Sequence, residues 1–482
     1  MKNVETAPGL TLGPIKHLMH HARKTPAALA LVGPNLELSF QDLLTEVQRI
    51  ANWLRGSGVK SGDMVLLDLS DEYERVYTLA CIHEGVVSAG LPKQGDFSKL
   101  ASHGFTHLVS LSQDAGDSGI AVLTPTASET RAYLDLPSGF EPAVLVGDDV
   151  VRVIYSSGTT GHPKAVAFTK ELLDKRIAAA LEHYMRRRPY LTLVGFRTVA
   201  GNSSFFLDLW LGETSIVSGE AGFNLKMIHR FGTSGIMGSP SSLEALSRKL
   251  DADTAPSTVS EVTSAGGFLS ADLAKRLETL LGSQVTNVYG STEAGQVART
   301  DAGGDSPNKL EPYPGVVLVI EDDSGQPVPA GVTGKLRISV DYLAAGYLGD
   351  QADSGQFANG NFYPGDLAAL DGQGKLELKG RADDLLNLNG HKINPIPLED
   401  FAQTELGLTE AASVLARDQD GKSYHVMFVV SSGTVDTKAV QKRLFQEFGT
   451  LGPQLVVQAK QLPKNEMGKL IRHSLMKRQS DS

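Results

Sequence analysis

The chain of 482 residues contains one cysteine, Cys81. A single thiol excludes an intrachain disulfide framework and a cysteine-based zinc site. Cys81 lies in the apolar run Thr78-Leu79-Ala80-Cys81-Ile82, which reads as a buried structural thiol rather than a nucleophile. Positive charge is not in excess either. Lys and Arg number 45 against 55 Asp and Glu, a formal charge of −10. Duplex nucleic acid is therefore not expected as the main partner, because neutralising phosphates takes a basic face. No apolar stretch reaches the length of a membrane span. Met1 to Leu10 lacks the charged-then-apolar pattern of a secretory signal. Repeats of solenoid length and low-complexity tracts are missing as well. The expectation is a soluble, cytoplasmic protein with no membrane span.

What is present is ordinary globular composition, 41% hydrophobic and 21% charged, enough for a sizeable core. At roughly 150 residues per domain, the length suggests about three domains, or a large one with a small one. The first part reads as alternating helix and strand. Ser39 is placed to cap a helix with Leu43, Leu44, Val47, Ile50, Ala51 and Leu54 on its apolar face and Gly56 as its stop. Met64 to Leu69 reads as a buried strand, and Glu72 to Val87 as another helix. That order predicts α/β layers with a largely parallel sheet. Later, Asp371-Gly372-Gln373-Gly374 is a turn signal between two short apolar runs, a predicted hairpin. Beyond Asp384, strand-like runs at Ala411–Ala416, His425–Val430 and Leu455–Ala459 and a helix-like stretch at Thr437–Phe448 predict a compact α+β domain. The expected organisation is a large domain over 1–379, a boundary at 380–384 and a small domain over 385–482.

The most informative segment is Val151 to Tyr155 followed by Ser156-Ser157-Gly158-Thr159-Thr160-Gly161-His162-Pro163-Lys164. A strand-like run enters a loop of hydroxyls and glycines that ends in a lysine, with a helix expected near Thr169. Small residues let backbone N–H groups approach phosphate oxygens, hydroxyls donate further bonds, and Lys164 adds a point charge. A glycine-rich turn between strand and helix is the plainer alternative. The loop is neither a Walker A sequence nor a dinucleotide fingerprint.

Tyr155 to Val166 resembles the signature loop of the adenylate-forming superfamily of acyl-CoA synthetases, peptide-synthetase adenylation domains and beetle luciferases. Three further motifs occur in the expected order. Asn287-Val288-Tyr289-Gly290-Ser291-Thr292-Glu293 offers an amide to read adenine, a ring to stack on it, a hydroxyl for the α-phosphate and a carboxylate for Mg²⁺, a cation that prefers oxygen ligands. The resemblance gives those roles to Asn287, Tyr289, Thr292 and Glu293, and places Gly290 and Ser291 in the same nucleotide-binding turn. It implies that Asp366, in Tyr363-Pro364-Gly365-Asp366, holds the ribose hydroxyls, that Arg381 contacts the nucleotide, and that Asp383 is the hinge between domains. In Leu462 to Arg472 it implies that Lys469 enters the site for adenylation.

The family attacks the α-phosphate of ATP with a carboxylate, releasing pyrophosphate, and passes the acyl group to a thiol of CoA or of a carrier-protein phosphopantetheine. Lys469, Thr292 and Glu293 are the implied catalytic residues. Ser156, Ser157, Gly158, Thr159, Thr160, Gly161, Lys164 and Gly267 are implied nucleotide contacts. Gly390 and Lys392 fall on the face presented to the thiol, with Lys392 standing where some relatives have arginine. The acid pocket is implied by Phe196, Val199, Phe205 and Gly266. Adenylation domains for α-amino acids carry an aspartate where an ungapped match puts Val199, so a non-α-amino acid is expected. The expected function is an ATP-dependent acid–thiol ligase, with CoA favoured over an acyl carrier protein. The alternatives are an amine or oxygen acceptor and, in another class, a non-catalytic nucleotide-binding regulator.

Overall fold

The computed structural model describes residues 13–92, 96–125, 141–156, 164–183, 189–250, 255–300, 307–349, 355–388, 391–417, 423–464 and 470–477. These divide into two compact units. One takes in the chain to Ser156, then up to Val317 from the strand beginning at Lys164, and Ile338–Phe362; the other takes in Leu318–Arg337 and the chain from Tyr363 onward.

The first unit contains two sheets. The smaller runs in the order Ala121–Leu123, Phe105–Ser110, Met64–Asp68, Val87–Gly90, Val150–Ser156, Lys164–Thr169. Its neighbours are parallel except the last pair. The larger places Leu29–Val32, Ser215–Val217, Tyr190–Thr192, Gly235–Gly238, Glu261–Ala265 and Gln284–Ser291 side by side and parallel. An antiparallel hairpin to Gly295–Thr300 continues it. The expected α/β layering is observed. Helices Gly13–Lys24, Phe40–Gly56 and Asp71–Glu84 share one core with strand and helix residues such as Val65, Leu67, Tyr190, Phe205 and Val217.

Ser39 caps the Phe40–Gly56 helix as expected: its side chain accepts from the backbone N of Asp42, and Asp42 accepts in return from the backbone N of Ser39. The next helix is shorter than its sequence suggests. It ends at Glu84, because Gly85 takes φ +68° and closes the last turn, and Val87 opens a strand. The helix expected near Thr169 begins at Lys170. What the sequence did not announce is the strand before it, Lys164–Thr169, the antiparallel partner of Val150–Ser156 with Ser156 opposite Lys164. Ala165 and Val166 are buried in that second strand, and the short run carries no break before Thr169. Cys81 is fully buried, and burial pushes its thiol up to about 12, as befits a structural thiol.

In the second unit, Asp366–Leu370 and Leu376–Arg381 form the expected hairpin. The strands Glu410–Arg417, Ser423–Val430 and Leu455–Gln458 form a sheet in that order. The helix Thr437–Phe448 is capped by Asp436, and both it and Pro395–Thr404 bury apolar residues against this sheet. Among the described residues no helix is long and apolar enough to cross a membrane.

Candidate active site

The turn Ser291–Ala294 is built by the hairpin that Gln284–Ser291 makes with Gly295–Thr300. A side chain at Gly290 would stand 2.3 Å from the carbonyl oxygen of Gly295, so only glycine lets the two strands close here. Ser291 Oγ accepts from Ala294 N at 3.0 Å and folds the turn back. From the other side Arg176, buried on the Lys170–His183 helix, donates to the carbonyls of Thr292 (3.0 Å), Glu293 (2.7 Å) and Tyr342 (3.3 Å). Burial lowers its guanidinium to about 10, against the opposing pull of Glu293. This clamp fixes the backbone from which Glu293 projects.

Glu293 is 6% exposed, and its carboxylate accepts from the Tyr347 hydroxyl at 2.8 Å. The same hydroxyl reaches Gln356 Oε1 at 3.1 Å, and Gln356 Oε1 accepts from the Lys164 ammonium. Lys164 also lies 4.8 Å from the centre of the Tyr347 ring, within cation–π range. The strand Lys164–Thr169 holds this geometry through a bridge from Val166 to Tyr347. Lys164 and Glu293, which stand 129 positions apart (293 − 164) in the chain, are thus joined by Tyr347 and Gln356. The sequence reading missed Tyr347, Gln356 and Arg176. None lies in one of the four motifs, and a tyrosine in Gly346-Tyr347-Leu348 carries no local signal of its partners.

Thr292 and Ser156 are half-buried at the ends of these elements. Ser157, Gly158, Thr159, Thr160, Gly161, Gly390 and Lys469 lie outside the described residues, and Lys392 is described only as the middle of the strand His391–Ile393. Asn287 is buried on its strand. Its amide nitrogen donates to the carbonyl of Pro307 (3.0 Å) and to Asn308 (3.3 Å), while Oδ1 has no hydrogen-bond partner among the described residues. Ser264 and Asn287 are paired across parallel strands, so Gly266, Gly267 and Tyr289 all lie at or just past the carboxyl ends of neighbouring strands. Gly266 has φ +85°, and a side chain at Gly267 would press on Pro240 at 3.3 Å. Ligands of open α/β sheets bind at such carboxyl ends.

The four expected acid-pocket residues do not form one group. Val199 is partly buried against the apolar cluster that includes Phe168, Leu172 and Tyr347, the last a member of the Lys164–Glu293 network. Phe196 and Phe205 belong to the main core, their rings edge-to-face at 5.4 Å with the Arg75 and Arg152 guanidiniums over Phe196. In the second unit, Asp366 and Arg381 stand opposite each other on the hairpin, paired at 3.2 Å, and Arg381 donates to the Pro364 carbonyl at 2.6 Å. Asp366 is 9% exposed. Asp383 follows in the turn after Arg381, where Ala382 N donates to Gly365 O.

The parallel strands of the larger sheet thus lead into a hairpin closed at Gly290, and beside it stand a held carboxylate and the lysine joined to it. The chain matches the AMP-binding enzyme family over residues 18–348 and belongs to it. It is similar to enterobactin synthase component F of Escherichia coli O157:H7, 28% identical over 94% of this chain and 38% of that protein. It is also similar to the 4-coumarate–CoA ligase CCL1 of Humulus lupulus, 25% identical over 91% of this chain and 88% of that protein. The chain thus spans well under half the length of the synthase. Among solved structures it shares its fold with ATP-bound MatB from Rhodopseudomonas palustris, with a TM-score of 0.85 at 22% identity, covering 98% of this chain and 99% of that one.

Proposed function

We propose that this enzyme is an ATP-dependent carboxylic acid ligase that forms the adenylate of a non-α-amino organic acid and passes the acyl group to the thiol of CoA. The observation that carries the reading is the Lys164–Gln356–Tyr347–Glu293 network, which sets a cation and a carboxylate of two separate motifs on one fixed frame. In the first half-reaction a carboxylate oxygen attacks the α-phosphorus, and the bond to pyrophosphate breaks. Negative charge spreads over phosphoryl oxygens, so oriented cations and donors stabilise that transition state. Lys164, the hydroxyl of Thr292 and Lys469 fill those roles. Glu293 fits a divalent cation: its carboxylate is a hard oxygen donor, nearly buried and oriented by the Tyr347 hydroxyl. Mg²⁺ bound there would supply charge neutralisation at the phosphates.

The nucleotide's adenine suits Asn287, whose Oδ1, without a hydrogen-bond partner among the described residues, is an acceptor for the exocyclic amino group. Tyr289, with Gly266 and Gly267, borders the base. Asp366 takes the ribose hydroxyls, and Arg381 sets the carboxylate that does so. In the second half-reaction the thiol sulfur attacks the acyl carbon and AMP leaves. Asp383 acts as the hinge, and the Gly390–Lys392 strand end receives the thiol. Val199 supports a non-α-amino acid, since an apolar side chain set against an apolar cluster gives an ammonium no partner. CoA as acceptor is supported by a CoA ligase relative matched over 88% of its length.

The test is acid-dependent pyrophosphate release over a panel of short-chain, long-chain, aryl and amino acids, with and without CoA. One acid class giving release that CoA converts to thioester is the expected result. Release that CoA leaves unchanged would move the acceptor to a carrier protein, as the synthase relative suggests, or to an amine. ATP binding without release for any acid would favour the regulator reading.

A further inference from the structure

Outside the site, the first unit contains a buried charge cluster that none of the four motifs includes. Glu74 and Arg152 are each 1% exposed at the side chain and paired at 2.6 Å. The other oxygen of Glu74 accepts from Arg197 Nε, also at 2.6 Å. Arg152 is on the strand that runs into the phosphate loop, four residues before Ser156 (156 − 152), and bonds also to Thr78 and Ser88. Arg197 stands immediately before Thr198, the N-cap of the helix Val199–Leu211. It donates to the carbonyl of Leu91 at 2.8 Å and reaches those of Leu67 and Leu69, at the carboxyl ends of the small sheet's strands.

Two further observations single out this arrangement. Gly90 has no side chain, and a Cβ there would stand 2.7 Å from both Glu74 Oε1 and Arg197 Cγ, so the pair fills the space the glycine leaves. One turn earlier on the same helix, Asp71 accepts from Phe196 N at 2.8 Å. Residues 196 and 197 are therefore held by two carboxylates from the first turns of one helix, which also bonds to the phosphate-loop strand. Burying Glu74 with two arginines is costly in desolvation, and replacing such a group with apolar residues often stabilises a protein. Retaining it fits a role in fixing geometry.

We propose that Glu74 is a positioning residue: by joining Arg152 to Arg197, it fixes where the helix bearing Val199 starts relative to the phosphate loop, and so governs acid binding. This rests on the ligase reading and on Val199 facing the acid. Loosening Arg197 displaces the acid's wall while leaving the Lys164–Glu293 frame, whose bonds do not involve this cluster, in place.

The experiment measures pyrophosphate release with the acid that the panel identifies, for Arg197→Ala, Glu74→Gln, Glu74→Asp and the double variant, with melting temperatures alongside. Arg197 is partly exposed and its removal leaves the core side chains in place, so Arg197→Ala decides the matter even where Glu74→Gln fails to fold. The expected result is a KM for the acid raised about tenfold in Arg197→Ala, with the KM for ATP within about twofold of the parent. Glu74→Asp should recover part of the loss, and the double variant should be no worse than the worse single one. An unchanged acid KM, or acid and ATP KM rising together in step with lost thermal stability, overturns the proposal. A parent enzyme that releases no pyrophosphate with any acid instead overturns the ligase reading.

Discussion

Tyr347 is the residue on which the site turns. Its hydroxyl meets the Glu293 carboxylate at 2.8 Å while the Lys164 ammonium lies over its ring. A hydrogen bond to a charged acceptor contributes about 1.5–3 kcal/mol. Tyr347→Phe keeps the ring and its packing on Val166 and Phe357. Pyrophosphate release should fall about tenfold or more, with the Mg²⁺ concentration for half-maximal rate raised and the melting temperature nearly unchanged. A loss of rate matched by a loss of melting temperature would make the tyrosine merely structural. A second residue-scale expectation concerns His17. It is 3% exposed beside Trp210, neither ring nitrogen has a hydrogen-bond partner among the described residues, and burial, with lesser repulsion from His21, His20 and Lys170, lowers it from 6.5 to about 4. The unfolded chain therefore binds this proton where the folded one does not. Stability is full above about pH 6.5 and is lost as the pH falls toward 4, by up to about 3 kcal/mol. Urea midpoints at pH 7 and pH 4.5 should differ by less in His17→Leu than in the parent; equal differences would acquit His17.

At the scale of elements, local chemistry made much of the fold legible. The capping box at Ser39 and Asp42, the Asp371–Lys375 turn and the short apolar run within Ser423–Val430 each carry their own signal. Ser39→Ala should cost about 1 kcal/mol of unfolding free energy, read by urea denaturation, since it removes one cap bond of a helix with one buried face; no change would mean that packing alone fixes the helix start. What was not legible depended on partners distant in sequence. A six-residue stretch after a glycine-rich loop reads equally as strand or helix entry, and the antiparallel pairing of Ser156 with Lys164 decides it. The four motifs gave Lys164 and Glu293, but Tyr347, Gln356 and Arg176 reach them from other elements, and only their assembly reveals the contact. The same holds for Glu74, an ordinary carboxylate in the first turn of a helix until Arg152 and Arg197 converge on it.

At the scale of the whole molecule, the proposed reaction divides between the two units, and Lys469 is the residue that tests the division. The first unit holds Lys164, Thr292 and Glu293; the second holds Asp366, Arg381 and the segment from Lys464 to Arg472. That segment is anchored at both described ends. Lys464 pairs with Glu410 at 2.7 Å and bridges to Leu470, while Arg472 binds Glu399 through both guanidinium nitrogens and approaches Asp384 at 3.8 Å. Glu399 is buried, which raises its carboxyl against the opposing pull of Arg472, so the pair is a fixed base rather than a loose surface contact. Under the proposed function Lys469 stabilises only the adenylation transition state. Lys469→Ala should therefore reduce acid-dependent pyrophosphate release on the order of 10²–10³-fold. Supplied with preformed acyl adenylate, the same variant should form thioester with CoA at close to the parent rate, because that step draws no charge from the lysine. Equal loss in both half-reactions would mean that the lysine serves the whole site, and that the two units do not exchange roles between the steps.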